Sequence, residues 1–374
     1  MRKVLITGGA GFIGANFVHY WMENHPEDEV MVLDALTYAG VRHSVGPLES
    51  RDSFTFVHGD IADADLVGEL FDRHDFDTVV HFAAESHVDR SIHGPHDFVQ
   101  SNVVGTHVLL QAAREHWERR SGGMQDGRFH HVSTDEVYGS LEPEAPAFTE
   151  TTPYDPRSPY SASKAASDHL VRAYHHTYGL NATISNCSNN YGPYHFPEKL
   201  IPLTIVNILH GRAIPVYGDG RNVRDWLYVG DHCRAIDLIL AGGVPGQTYN
   251  IGGECERGNL ETIETLCGIV DRLFAEDTGL AKRFPEAPPA EGNRAYNLVT
   301  FVKDRPGHDR RYAMDIRRIR EDLGFAPAES FDSGLEKTVR WYLDNEDWWR
   351  PLLDSSYEEW IRKNYDEGAV TGSK

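Results

Sequence analysis

Close to its start the chain runs from an apolar, strand-like stretch, residues 4–7, through Thr7-Gly8-Gly9-Ala10-Gly11-Phe12-Ile13-Gly14 into a helix-length segment, residues 12–24. A strand that turns into a helix this abruptly opens a β-α-β unit, and such units build parallel sheets. The rhythm continues. Residues 30–33, 54–57, 78–83 and 129–133 are short and rich in Val, Ile and Phe, and residues 64–74 and 98–120 between them are long enough for helices. A further helix is expected over about 159–178, and late strands over 182–186 and 248–251. The fold class that follows is α/β, a Rossmann-type doubly wound parallel sheet.

The C-terminal third is less regular. Pro193, Pro197, Pro202 and Pro215 punctuate the start of a smaller lobe. We expect residues 1–190, with elements returning from about 226–258, to form the sheet domain. Residues 191–225 and 259–374 then form the second lobe. Segments 121–127 and 284–293, the latter within a longer insertion over 276–297, read as exposed loops because of their Gly and Pro content.

In the turn after the first strand, Gly8, Gly11 and Gly14 permit a tight bend and close backbone approach, and amides gather at a helix N-terminus. That combination suits a pyrophosphate. The spacing is GxxGxxG, a variant of the more common dinucleotide pattern. Asp34 ends the second strand, 20 residues after Gly14. A carboxylate there accepts both ribose hydroxyls of NAD and repels the 2′-phosphate of NADP. Asp60 and Ile61 end the third strand, where an adenine edge can be read.

Tyr160 and Lys164 stand four apart in a predicted helix and so share one face. An ammonium near a phenol favours phenolate, and a phenolate can take the proton from a hydroxyl whose carbon gives up hydride. The run Ser133-Thr134-Asp135-Glu136-Val137-Tyr138-Gly139 follows a strand, where active sites of α/β folds collect. Neighbours in a continuing strand point to opposite faces, so Asp135 and Glu136 can work together only where the backbone turns.

Bulk properties exclude other classes. The net charge of −21, from 36 basic and 57 acidic side chains, argues against a general nucleic-acid binder. No apolar stretch is long enough for a membrane span. The N-terminus lacks the pattern of a signal peptide, and four cysteines without CxxC spacing suit a reducing, cytoplasmic setting. Twenty histidines occur, but none in a ligand-like spacing, so no metal is expected.

With these motifs on the page, the chain resembles the nucleotide-sugar 4,6-dehydratases of the extended short-chain dehydrogenase/reductase family. The likeness also rests on residues 83–91, 186–194, 196–202, 224–229 and 304–309, in order, and spans nearly the whole chain. The adjacent Asp135-Glu136 pair separates these dehydratases from the 4-epimerases of the same family.

The resemblance implies bound NAD and a nucleoside-diphosphate hexose substrate, dTDP-glucose first and UDP-glucose as the alternative. A catalytically silent NAD-sensing protein of the same fold is the remaining reading. The implied catalytic set is Thr134, Asp135, Glu136, Tyr160 and Lys164. Thr134 and Tyr160 hold the 4-hydroxyl, Tyr160 removes its proton, Glu136 takes the C5 proton, and Asp135 protonates the departing 6-hydroxyl. The implied cofactor contacts add Phe12, Ile13, Thr37, Ala83, Ala84, Ser86, Ser101 and Asn190 to Gly8, Gly11, Gly14, Asp34, Asp60, Ile61, Tyr160 and Lys164. The substrate contacts are Ser86 and Thr134 at the glucosyl group, Pro215 and Tyr217 at the base, and Asn189, Lys199, Leu200, Arg224, Asn259, Asp304, Arg305 and His308 elsewhere on the nucleotide. The residues alone leave Arg224 open between a phosphate contact and an ion pair with Asp225 or Asp219. They leave the Asn189 region open to turn chemistry. A homodimer through segments 98–120 and 159–178 is implied too, with Val103, Val104, Leu109 and Leu110 available to an interface or to the sheet.

Overall fold

The computed structural model describes residues 1–304 and 308–366. Its twelve strands, in chain order, are β1 (Lys3–Thr7), β2 (Glu29–Asp34), β3 (Phe54–His58), β4 (Thr78–His81), β5 (Arg128–Thr134), β6 (Ala182–Cys187), β7 (Asn189–Tyr191), β8 (Ile214–Tyr217), β9 (Val223–Tyr228), β10 (Thr248–Ile251), β11 (Glu256–Gly258) and β12 (Val299–Val302). Seven of them form one sheet in the order β10-β6-β5-β4-β1-β2-β3. Every pairing in it is parallel. The order reverses at β1, which lies between β2 and β4, and this is the switch point where α/β sheets hold ligands.

Alternation along β1 shows why both faces need cover. Val4 and Ile6 join a core cluster with Phe17 and Trp21 of the helix Phe12–Asn24 and Ile236 of the helix Val229–Gly242. Leu5 points the other way, into a cluster with Leu109, Phe129 and Val171. A sheet covered on both sides keeps near-continuous apolar strands, as in the fully buried β4 and β6.

The second lobe has its own core. The helices Leu200–Leu209, Asn259–Glu276 and Phe331–Asp344 bury Ile205, Leu266 and Val339 together with Trp348 and Trp349. Two small sheets edge it, β11-β9-β7 and β12-β8. Of the returning segment, the helix Val229–Gly242 and β10 serve the large sheet, whereas β9 and β11 belong to the small one.

Two sequence expectations need correction, and one left open is decided. The segment 98–120 is not one regular helix. Val99–Gly105 is π-helical and only Thr106–Glu118 is α-helical. The wide turn lets Asn102 reach Glu85 O (3.0 Å) and Ser163 Oγ (2.8 Å), and wide turns of this kind often mark functional sites. Segment 284–293 is not simply exposed, because Phe284 and Ala287 are buried in the second core and Pro288–Glu291 forms a 3-10 turn. Leu109 and Leu110 are spent inside the monomer, in the core under the sheet.

Candidate active site

At Gly8 and Gly14 the glycine turn packs without room for a side chain. Gly8 takes φ +71°, and a Cβ on it would lie 2.5 Å from Ala83 N. A Cβ on Gly14 would lie 2.1 Å from Gly8 O. Gly11 caps the helix Phe12–Asn24 with no side-chain acceptor and no acidic residue in the first turn. Donors at that helix start are thus kept for an anion. Asp34 is buried and takes the amides of Ala10 (2.9 Å) and Leu36 (2.8 Å). Burial outweighs these two amides and holds its carboxyl above the usual range. An uncapped helix start beside a glycine cradle, with a fixed carboxylate one strand away, fits the pyrophosphate and ribose of a dinucleotide.

The catalytic candidates gather at the carboxyl end of β5. Thr134 is its last residue, and a 3-10 turn, Asp135–Tyr138, follows at once. The turn brings two adjacent carboxyls to one cavity, as the sequence requires of them. Their surroundings differ. Asp135 is 2% exposed, and its Oδ2 has no hydrogen-bond partner among the described residues. Burial first, then the charges of Glu136 and Asp225, hold its carboxyl well above the ordinary value. Glu136 is half-buried and reaches the same cavity. Thr134 Oγ1 lies between them, donating to Asp135 Oδ1 and accepting Glu136 N, both at 3.2 Å.

Tyr160 and Lys164 stand on the first turns of the helix Pro159–Tyr178. A capping box between Ser158 and Ser161 starts it, Pro159 is its first residue, and Gly179 ends it in the left-handed region. Lys164 Nζ donates to Val132 O at 2.8 Å. Burial draws Lys164 down to about 8. Tyr160 departs from expectation. Its phenol is held well above 10 by burial, with Glu136 and Cys187 adding to the rise, although Thr134 hydrogen-bonds to it. Lys164 is not among the main charges that act on the phenol, and burial decides its direction.

The second lobe supplies the opposite wall. Arg224 is 6% exposed, donates to the carbonyls of Val223 (2.8 Å) and Asp309 (3.0 Å), and lies 4.4 Å from the centre of the Tyr312 ring. It lines the cavity, while Asp219 pairs with Arg310 and Asp225 takes the amide of Cys255. Asn189 lies in a strand, β7, and is not a turn residue. One cavity of about 430 Å³ runs from Gly8 to Tyr217. It is lined by every residue that the sequence marks for catalysis or cofactor, and by every substrate candidate except Asp304 and Arg305. Asp304 stands behind the wall, 2.6 Å from His308 Nδ1. Arg305 lies outside the described residues.

A family model described as GDP-mannose 4,6 dehydratase matches residues 5–338. A dTDP-glucose 4,6-dehydratase of Xanthomonas campestris pv. campestris is 53% identical over 358 residues, covering 96% of this chain and 97% of the relative. One from Escherichia coli is 50% identical over 367 residues, covering 95% and 97%. The chain belongs to the dTDP-glucose 4,6-dehydratase family. Among solved structures, the dTDP-glucose 4,6-dehydratase from Streptomyces venezuelae, solved with NAD bound, matches with a TM-score of 0.80 at 48% identity, covering 94% of this chain and 99% of that one. A UDP-glucose 4-epimerase of Thermotoga maritima shares the fold at a TM-score of 0.77 and 25% identity, covering 92% and 99%.

Several lining residues escaped sequence reasoning. His195 stacks on Phe12 at 4.0 Å and 8°, joining the second lobe to the glycine helix. Glu198 and Tyr38 line the cavity too, held from behind by Arg90, which donates to Glu198 Oε2 at 3.1 Å and lies over the rings of Tyr38 (3.8 Å) and Trp360 (4.5 Å). Arg90 and Glu198 lie within matched stretches of the family, but their pairing across 108 positions leaves no local signal. Among the described residues, no group of three or more His, Cys, Asp or Glu side chains is arranged to hold a metal ion.

Proposed function

We propose that this chain is an NAD-dependent hydro-lyase that converts dTDP-glucose into dTDP-4-keto-6-deoxy-glucose and water. The observation that carries the proposal is the shared cavity of two unlike pairs, Asp135-Glu136 and Tyr160-Lys164. Gly8, Gly11, Gly14 and Asp34 would hold NAD, which when bound would supply the hydride acceptor needed at C4 and the hydride donor needed at C6. Tyr160 would act as the phenolate, supported by the positive charges of Lys164 and of bound NAD, and take the proton of the 4-hydroxyl, which Thr134 orients. A ketone at C4 makes the C5 proton acidic; Glu136 removes it and gives a proton back to C5 once the hydride is on C6. Asp135 is held protonated by its burial and gives that proton to the departing 6-hydroxyl. The two carboxyls therefore do acid and base work side by side because their environments push them apart.

The second-lobe wall would take the nucleotide, with Arg224 and Lys199 as cationic donors for the diphosphate and Tyr217 beside the base. Residues 1–190 and those returning over 226–258 would grip the cofactor, and 191–225 with 259–374 the substrate. A homodimer through the helices Thr106–Glu118 and Pro159–Tyr178 is favoured by the exposed apolar side chains Val99, Val104 and Tyr178 beside them. Four free cysteines, and no described helix long and apolar enough to cross a membrane, favour the cytoplasm.

The test is turnover of dTDP-, UDP-, CDP- and GDP-glucose, read by the alkali absorbance of a 4-keto product. The expected result is fastest turnover of the thymidine substrate. Preference for the uridine substrate would transfer the proposal to UDP-glucose, and no 4-keto product from any of them would overturn it.

A further inference from the structure

Behind Tyr160 and Lys164 lies a buried charged network that the proposed chemistry does not use. Lys164 is 3% exposed, and Asp168, one helical turn on, is fully buried on the same face. His131 of β5 sits between them, its Nε2 3.4 Å from Lys164 Nζ and 3.3 Å from Asp168 Oδ1. Ser133 Oγ (2.9 Å) and Tyr154 Oη (2.7 Å) both donate to Asp168 Oδ2. Arg172 Nη2 donates to Tyr154 Oη at 2.8 Å, and Asn186 Nδ2 does so at 3.2 Å. Two donors hold Oδ2 of the carboxylate, while Oδ1 faces His131 without a hydrogen bond among the described residues.

An ammonium this deeply buried needs an opposite charge, because desolvation otherwise drives off its proton. Val132 O supplies a dipole only. We propose that Asp168 is a positioning residue, and that it supplies the buried negative charge that keeps Lys164 an ammonium beside Tyr160. This rests on the roles given above to Tyr160 and Lys164.

The remaining groups facing the pair do not replace it. His131 and His81, whose rings are 5.0 Å apart, are kept neutral by burial. Cys187 on β6 is pushed up to about 12 and stays a thiol. Tyr138 and Tyr154 are raised by burial and stay neutral. Arg172 is a cation and opposes Lys164. One ring nitrogen cannot donate to Asp168 and accept from Lys164 at once. The hydrogen bond at Nε2 is the one from Lys164 Nζ, so His131 accepts there and lies 3.3 Å from Asp168 Oδ1 without donating to it.

Replacing Asp168 by Asn keeps the shape and removes the charge. Lys164 then loses its proton more readily, and the phenolate of Tyr160 loses its support. The experiment is single-turnover reduction of bound NAD by dTDP-glucose, followed against pH in wild type and Asp168→Asn. The rising limb should move up by about one pH unit, so the rate near neutrality falls about tenfold. KM for the sugar nucleotide and the content of bound NAD should stay as in wild type. A folded, NAD-loaded Asp168→Asn enzyme with an unmoved limb would overturn the inference. If that variant does not fold, Tyr154→Phe removes one donor and makes Asp168 easier to protonate. It should move the limb the same way by less, and an unmoved limb there also overturns it. Tyr160→Phe separates the two levels. If it reduces NAD at the wild-type rate, the underlying reading fails, and this inference fails with it.

Discussion

The two walls of the cavity are made of different material. The cofactor wall is mostly main chain: glycines at 8, 11 and 14, a bare helix start, and a carboxylate clamped by two amides. The wall proposed for the substrate is mostly side chain: Arg224, Lys199, Tyr217 and His308, carried on β8, β9 and nearby loops of a lobe whose sheets have only two and three strands. Main chain cannot be trimmed, so its contacts tolerate no added atom. Side chains can be exchanged one at a time, which suits a wall that selects among nucleotides. The proposed catalytic residues sit on the seam, at the end of β5 and the start of the helix Pro159–Tyr178.

The seam should show the largest effect. Tyr160→Phe removes the proposed acceptor of the 4-hydroxyl proton, and loss of a general base costs roughly 10² to 10⁴ in rate. Rapid-mixing measurement of bound NAD reduction checks it, and a wild-type rate would reject the role. Asp135→Asn should slow water loss by about 10² to 10³ while leaving NAD reduction intact. In wild type the two half-reactions should slope oppositely with pH. Asp135 is raised by burial, so its acid form is present below that raised pKa and is lost as pH rises through it. Water elimination should fall on the alkaline side, where NAD reduction rises. Proton NMR of the accumulating 4-keto species follows both.

The main-chain wall comes next. A methyl on Gly14 would meet Gly8 O at 2.1 Å, and backbone cannot step aside. Gly14→Ala should lose bound NAD, with affinity weakened by about 100-fold, a cost of roughly 3 kcal/mol. Quantifying dinucleotide released on denaturation reads this, and full NAD content would break the contrast between the walls. The smallest effect belongs to the side-chain wall. Arg224→Ala should raise KM by about tenfold to a hundredfold, consistent with a charged hydrogen bond worth about 1.5–3 kcal/mol. It should leave the NAD content unchanged, and a loss of NAD would show that the walls are not independent.

Much of this was legible in the sequence. Strand–turn–helix rhythm placed the large sheet because a sheet covered on both faces keeps apolar strands in sequence. The lining of the cavity was legible too, since the motifs fall at strand ends. What stayed hidden was made by long-range packing. The π-helical turn at Val99–Gly105 has the same apolar spacing as an α-helix, and only the demand of Asn102 for Glu85 and Ser163 reveals it. The stretch rich in proline near 284–293 looked exposed, yet Phe284 and Ala287 fill the second core. The phenol of Tyr160 was judged from Lys164 alone, whereas burial decides it. Asp168 gave no signal because its partners come from positions 131, 133 and 154.

The central claim is that one hydride leaves C4 and returns to C6 within a single closed site. Substrate deuterated at C4 tests it most directly, with the product read by mass spectrometry and proton NMR. The account predicts deuterium at C6 of the same molecule, including when labelled and unlabelled substrates are mixed. Deuterium lost to solvent, or passed between molecules, would contradict it.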